Sequence, residues 1–302
     1  MSNKTWHAYP AHLLYESVSR YNTFGSMLDS LENLKADPAI TLLRRRFLGY
    51  LNDVGVTDDE KQSADLLTSE GVLLKTYPDQ LYYRMSSPLV DGLIRTKILR
   101  VLYPLTPPGV LPRRNDDSLD IVRILEKAVA LFDRQLMADA SLTSFKSSGP
   151  ITVRGRKKRR VPRQSVYDTE LMRILSSWLT PFGWKVTGQW HSLNDSNQHK
   201  FTDITLTFDD ATEKTTVVLE LLATGTNNDI LSHIKKVPEY AELQSATEAW
   251  TIHFTCEDDF TPVEVQGANV LHFVHDLEWK AVVVHGHWKE RTEMVKLKNK
   301  VL

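Results

Sequence analysis

The chain has 302 residues, and 37 Lys and Arg against 38 Asp and Glu leave a net charge of −1. Hydrophobic residues make up 41% and charged residues 25%, the composition of a soluble globular protein, and roughly 150 residues per domain predicts two domains. One cysteine, Cys256, excludes an intramolecular disulfide and a Cys-based zinc site. No apolar run reaches about 18 residues and the first residues lack a secretory core, so an intracellular chain without a membrane span is expected.

Read along the chain, the first half is mainly helical. Leu13 to Leu34 and Ile40 to Leu51 carry apolar residues at helical intervals. Asp58-Asp59-Glu60 opens a short helix, with Thr57 as N-cap and Glu60 three residues on. Val72 to Lys75 and Leu81 to Arg84 predict two short strands around a Tyr77-Pro78-Asp79-Gln80 turn, and Ser87-Pro88 starts a helix running to Tyr103. Helix, helix, hairpin, helix is the order of a winged-helix unit. Its candidate recognition segment, Asp58 to Glu70, is acid-rich and would repel phosphates, which favours a structural or protein-contacting role. A proline-rich loop from Leu105 to Arg114 and an amphipathic helix from Ser118 to Ala138 complete a first domain over residues 1–145.

A breaker-rich stretch, Ser144 to Pro150, then precedes a concentrated basic run. Arg154, Arg156, Lys157, Lys158, Arg159, Arg160 and Arg163 are seven of ten residues between 154 and 163. Such a block repels itself, so residues 146–164 are expected to be an exposed linker or arm. It suits either nuclear import or contact with nucleic-acid phosphates.

From residue 165 to 302 the pattern alternates. A helix from Val166 to Leu179 is followed by strands over Trp184–Trp190, Phe201–Phe208 and Thr215–Ala223. A helix over Asn228–Ser245 and a strand over Trp250–Thr255 follow. The order is α-β-β-β-α-β. Three acids fall at meaningful places in it: Glu170 on the first helix, Asp203 near the start of the second strand, and Glu220 inside Val217-Val218-Leu219-Glu220-Leu221-Leu222. A carboxylate among Val and Leu is costly to bury unless paired or bound to metal. Convergent carboxylates suit magnesium or manganese, which activates water and offsets phosphodiester charge. The predicted metal ligands are therefore Glu170, Asp203 and Glu220.

This arrangement resembles the PD-(D/E)XK nuclease superfamily over about residues 165 to 256. The segments Glu220-Leu221-Leu222-Ala223-Thr224-Gly225 and His233-Ile234-Lys235-Lys236-Val237-Pro238-Glu239-Tyr240 look more narrowly like the nuclease-like domain of Crinkler-type proteins. The resemblance implies a restriction-endonuclease-like fold with a mixed central sheet and metal-dependent DNA cleavage, often in the nucleus. The family pattern expects lysine two residues after the second strand acid, where this chain has Leu222. Asp229, His233, Lys236 and Tyr240 share one helix face, so Lys236 is the expected substitute, with Lys235 and Lys200 behind it and His233 and Tyr240 in support. Without a substitute, the domain would be an inactive nuclease fold that binds DNA, RNA or a protein partner. No G-x-x-x-x-G-K-[ST] loop occurs, so ATP hydrolysis is not expected.

Overall fold

Two separate apolar cores organise the chain, which divides between Pro104 and Leu105. The computed structural model describes residues 16–34, 38–193, 199–209, 214–288 and 291–297. None of the helices among them is long and apolar enough to cross a membrane.

The first unit holds α1 (Asn22–Asn33) and α2 (Pro38–Leu42), the latter running into a π-helical turn, Leu43–Phe47. After β1 (Val54–Gly55), a 3₁₀ turn leads into α3 (Lys61–Ser69); the Glu60 carboxylate accepts the Thr57 N–H at 3.0 Å, as the Thr-x-x-Glu spacing predicts. β2 (Leu73–Lys75) and β3 (Tyr82–Met85) form the expected hairpin, and β1 adds to it in the order β1-β3-β2. Ser87 caps α4 (Pro88–Leu93) by accepting the Val90 N–H; a π-helical turn, Ile94–Ile98, and α5 (Leu99–Leu102) continue it. Leu31, Ile40, Phe47, Leu67, Tyr83 and Leu93 form the core.

The second unit begins earlier than the composition break suggests. α6 (Ile121–Val129) and α7 (Arg134–Thr143) replace the single helix expected over Ser118–Ala138. Asp133 ends that continuity: its side chain accepts the Leu136 N–H and starts a new helix. Ile121, Ile124, Leu125, Val129 and Met137 share a core with the sheet that follows, so apolar packing assigns these helices to the second unit and moves the boundary from residue 145 to 104.

The basic segment is a folded hairpin rather than a linker. β4 (Phe145–Ser147) pairs antiparallel with β5 (Arg160–Pro162). Ile151, Val153 and Val161 bury themselves against Cys256 and Leu277. The apolar residues between the cations therefore anchor a segment that charge density alone would leave in solvent.

Next come α8 (Gln164–Leu179), β6 (Lys185–Leu193), β7 (His199–Asp209), β8 (Lys214–Ala223), α9 (Asn227–Leu243) and β9 (Glu248–Thr255). β10 (Val270–His275), β11 (Val282–Trp288) and β12 (Arg291–Leu297) extend the sheet to the order β12-β11-β10-β9-β8-β7-β6. β8, β9 and β10 run parallel and the outer pairings are antiparallel, so the sheet is mixed. The His285-Gly286-His287 tract lies in β11.

β8 is central and buried on both faces, which is why it reads as a near-continuous apolar run. Alternation divides its residues. Leu219, Leu221 and Ala223 join the core with Leu171, Ile174, Leu175 and Trp178 of α8. Leu222 packs instead with Ile230 and Ile234 of α9. Glu220 shares that α9 face.

Buried histidines join β9 and β10. The Gly225 N–H donates to His253 Nε2 (3.4 Å), His253 Nδ1 faces His272 Nδ1 (3.2 Å), and His272 Nε2 faces the Val263 carbonyl (3.2 Å). One proton arrangement satisfies all three contacts: His253 carries its proton on Nδ1 and His272 on Nε2, both neutral. Likewise Tyr167 Oη donates to His275 Nε2 (2.8 Å), and His275 Nδ1 donates to the Asp276 carbonyl (2.9 Å). Burial holds His253 well below its ordinary value of 6.5 and brings His272 and His275 down to about 4. The unfolded chain therefore binds the additional protons between pH 6.5 and 4. The stability present above pH 6.5 is expected to fall as pH drops through that window. Urea midpoints from pH 7.5 to 4.5 measure this, and His272→Gln is expected to flatten the slope.

Candidate functional site

Strand register brings the two strand acids together. Ile204 pairs with Leu219, so the next antiparallel position sets Asp203 opposite Glu220. Asp203 Oδ2 accepts the Leu221 N–H at 2.7 Å, and Oδ1 accepts from Gln164 Nε2 at 3.0 Å. The side chain of Asp203 thus ties the start of α8 to β8.

Glu220 is 5% exposed. His233 Nδ1 donates to its Oε1 at 3.2 Å, while Oε2 is buried with no hydrogen-bond partner among the described residues. Both helix residues expected beside the acids are there. His233 and Tyr240 lie seven positions apart, close to two turns, and so on one face of α9. Burial, then the charges of Glu220 and Asp203, push the Tyr240 hydroxyl up to about 12, so it remains a neutral donor. Thr226 opens this helix: its Oγ1 donates to Asp229 Oδ2 at 2.7 Å, and that carboxylate also accepts the Thr226 N–H at 2.8 Å. These bonds hold the Asp229 carboxyl below its ordinary value, helped by the charges of Lys146 and His233.

Lys146 of β4 lies near Asp229, whose charge it feels. Its Nζ donates to the Ala223 carbonyl at 2.6 Å, three residues beyond Glu220 on β8. Burial lowers its affinity for a proton, opposed by the Asp229 charge.

Other expected members lie elsewhere. Glu170 is fully buried, but Arg173 Nη2 donates to its Oε2 at 2.7 Å and the Asp133 N–H donates to the same oxygen at 3.1 Å. It belongs to α8, whose apolar residues pack on the opposite face of β8 from α9. Its carboxylate serves helix packing and does not join Asp203 and Glu220. Among the described residues no three His, Cys, Asp or Glu side chains converge on a metal-sized site. Lys236 and Lys235 are both exposed. The side chain of Lys200 lies outside the described residues. Leu222 explains the missing lysine at its position: it fills an apolar pocket with Ile230, Ile234 and Val270.

Sequence reasoning missed Gln164 and Lys146. Gln164 carries no spacing signal, because its link to Asp203 spans 39 residues. Lys146 lies in a stretch whose serines and glycine suggest only a loop, 77 residues from its acceptor.

No protein-family model matches the chain, and no curated protein matches it. Among solved structures, Can2 from Sulfobacillus thermosulfidooxidans, in complex with cyclic tetra-adenylate, aligns at 11% identity with a TM-score of 0.23. That alignment covers 83% of this chain and 47% of Can2, so the chain spans about half of that protein's length. A likeness at this level carries no argument about fold or chemistry.

Two substitutions follow from these placements. Arg173→Met leaves a fully buried carboxylate without its guanidinium and is expected to cost about 3–5 kcal/mol in urea unfolding. Leu222→Lys is expected to destabilise the fold, because the ammonium enters an apolar pocket. Denaturation curves of the purified variants check both points.

Proposed function

We propose that this chain is a divergent, divalent-cation-dependent nuclease that hydrolyses phosphodiester bonds of DNA. The observation that carries the reading is the Asp203–Glu220 pair on adjacent strands, with one buried Glu220 oxygen lacking a donor. The resemblance to the PD-(D/E)XK superfamily supports the same reading through its element order and through these two acids.

The donor set suits magnesium or manganese. Such ions take oxygen ligands and commonly rely on one or two carboxylates, with water and substrate oxygens filling the remaining positions. Asp203 and Glu220 would hold the ion, which when bound would supply Lewis acidity and lower the pKa of water. A partnerless buried carboxylate oxygen costs about 1–3 kcal/mol, which a cation at Glu220 Oε2 would offset.

The surrounding residues have definable roles in this reading. Gln164 and the Leu221 N–H orient Asp203. His233 holds one oxygen of Glu220 and leaves the other for the ion. Tyr240 offers a neutral O–H to a substrate oxygen. Lys146 takes the place in charge that Lys236 was expected to fill.

A second reading is favoured by Leu222 and by the structural use of Glu170: a nuclease fold without catalysis, binding DNA or a protein partner. We further read residues 16–104 as a winged-helix-like unit whose exposed Asp58 and Asp59 suit a protein contact better than DNA. A nuclear site of action rests on the basic run alone.

Incubation of plasmid DNA and of RNA with magnesium or manganese separates these readings. DNA cleavage that chelation abolishes is expected, and Asp203→Asn or Glu220→Gln is expected to slow it by about 10²-fold or more. Equal cleavage by wild type and the double variant would sink the nuclease reading. Binding without cleavage favours the second.

A further inference from the structure

Resting on the nuclease reading, we propose that the β4–β5 hairpin is a rigid guide for a nucleic-acid backbone, with Lys146 at its base as the innermost phosphate contact.

The need for such a device follows from charge. Asp203, Glu220 and Asp229 would repel an approaching phosphodiester unless cations lie between them and solvent. Lys146 is the hairpin cation whose charge reaches Asp229. It uses one of its three N–H donors on the Ala223 carbonyl, which leaves two for a substrate oxygen. Partial burial strengthens any contact it makes with an anion.

The rest of the hairpin has the stiffness of a preformed surface. Val153 and Arg156 exchange both backbone hydrogen bonds across a tight turn. Arg154 and Gly155 at its centre have φ of 52° and 69°, the left-handed pair that a two-residue hairpin turn requires. Asp258 clamps this turn, accepting the Arg154 N–H at 2.9 Å and the Gly155 N–H at 2.7 Å. Glu278 pairs with the Arg154 side chain, and Ile151, Val153 and Val161 plug the hairpin into the body of the unit.

Asp258 and Glu278 are thus used to hold the turn, and four of the other cations face solvent. Arg156, Lys157, Lys158 and Arg160 are exposed and have no acidic partner among the described residues. The Arg160 guanidinium lies over the exposed Phe145 ring, 4.3 Å from its centre, on the solvent face of the β4–β5 ribbon, while Lys146, opposite buried Val161, lies on the inner face. One short hairpin therefore presents exposed cations in the loop between its strands, a planar cation on an aromatic ring on its solvent face, and a half-buried ammonium on its inner face. A polyanion passing over the hairpin edge meets cations on both faces. A preformed surface also loses little conformational entropy on binding, in contrast to the disordered arm that composition suggests.

Fluorescence anisotropy of the full chain with labelled duplex and single-stranded oligonucleotides, in EDTA and across a salt series, tests the proposal apart from cleavage. Arg156→Ala/Lys157→Ala/Lys158→Ala/Arg160→Ala is expected to weaken binding at least tenfold and to reduce the log–log salt slope by about three. Lys146→Ala is expected to reduce the slope by about one and cleavage at least tenfold, with Lys146→Arg restoring most of both. Thermal melts confirm that each variant is folded. Unchanged affinity and slope in the quadruple variant and in Lys146→Ala would overturn the guide. Competition by polyglutamate as effective as DNA, charge for charge, would overturn it too and indicate an acidic protein partner. Loss of binding in the variants while wild type cleaves nothing would retain the guide and remove the nuclease reading.

Discussion

Glu220 is the constraint on which the second unit turns. It is a carboxylate in a central strand whose neighbours are Val and Leu, and burying it is costly without compensation. The fold supplies one donor, His233, to one of its oxygens and none to the other. Around that half-satisfied group the structure gathers Asp203 by strand register and Tyr240 by helix periodicity, with Lys146 of a remote hairpin near Asp229 at the start of the same helix. Each neighbour is held from a different direction: Asp203 by Gln164 and the Leu221 N–H, α9 by its Thr226–Asp229 cap, Lys146 by the Ala223 carbonyl. A group left short of partners while its surroundings are so firmly fixed is what a site prepared for a ligand looks like.

The sheet separates two uses of buried carboxylate. On the α8 face, Glu170 is neutralised by Arg173 and a backbone N–H, an arrangement that holds helices in place and leaves nothing for chemistry. On the α9 face, the hydrogen-bond partner of the Glu220 carboxylate among the described residues is the imidazole of His233. Both residues look alike in the sequence, as acids within apolar periodic segments. Their difference lies in what the opposite element brings, which local pattern does not encode.

The basic run illustrates a similar override. Charge density alone predicts a solvated arm. Three apolar residues, Ile151, Val153 and Val161, find a matching pocket at Cys256 and Leu277, at least 95 positions later, and the segment folds as a hairpin. Arg154, Arg156, Lys157, Lys158 and Arg160 stay exposed on a folded backbone. The histidines of β9 and β10 follow the same logic in reverse. Singly they are unremarkable polar residues, and only the parallel pairing of those strands makes His253 and His272 a buried, neutral pair.

By itself, the sequence determined the elements from Gln164 to Thr255, several of the first unit, and the pair of strand acids as candidates. Apolar periodicity and turn chemistry are local, so the helix and strands from Gln164 to Thr255, the hairpin at Tyr77–Gln80 and the Thr57–Glu60 cap were legible. So were Asp203 and Glu220, because an acid inside an apolar strand is conspicuous, and His233 and Tyr240, because one helix face carries both. The tertiary structure decided the rest. It moved the domain boundary to residue 104, since α6 and α7 bury their apolar faces in the sheet's core. It gave Glu170 to Arg173, exposed Lys236, and brought in Gln164 and Lys146. Those assignments depend on which side chains meet across 39 or 77 residues, and the physics of burial and pairing settles that only once the chain has closed on itself.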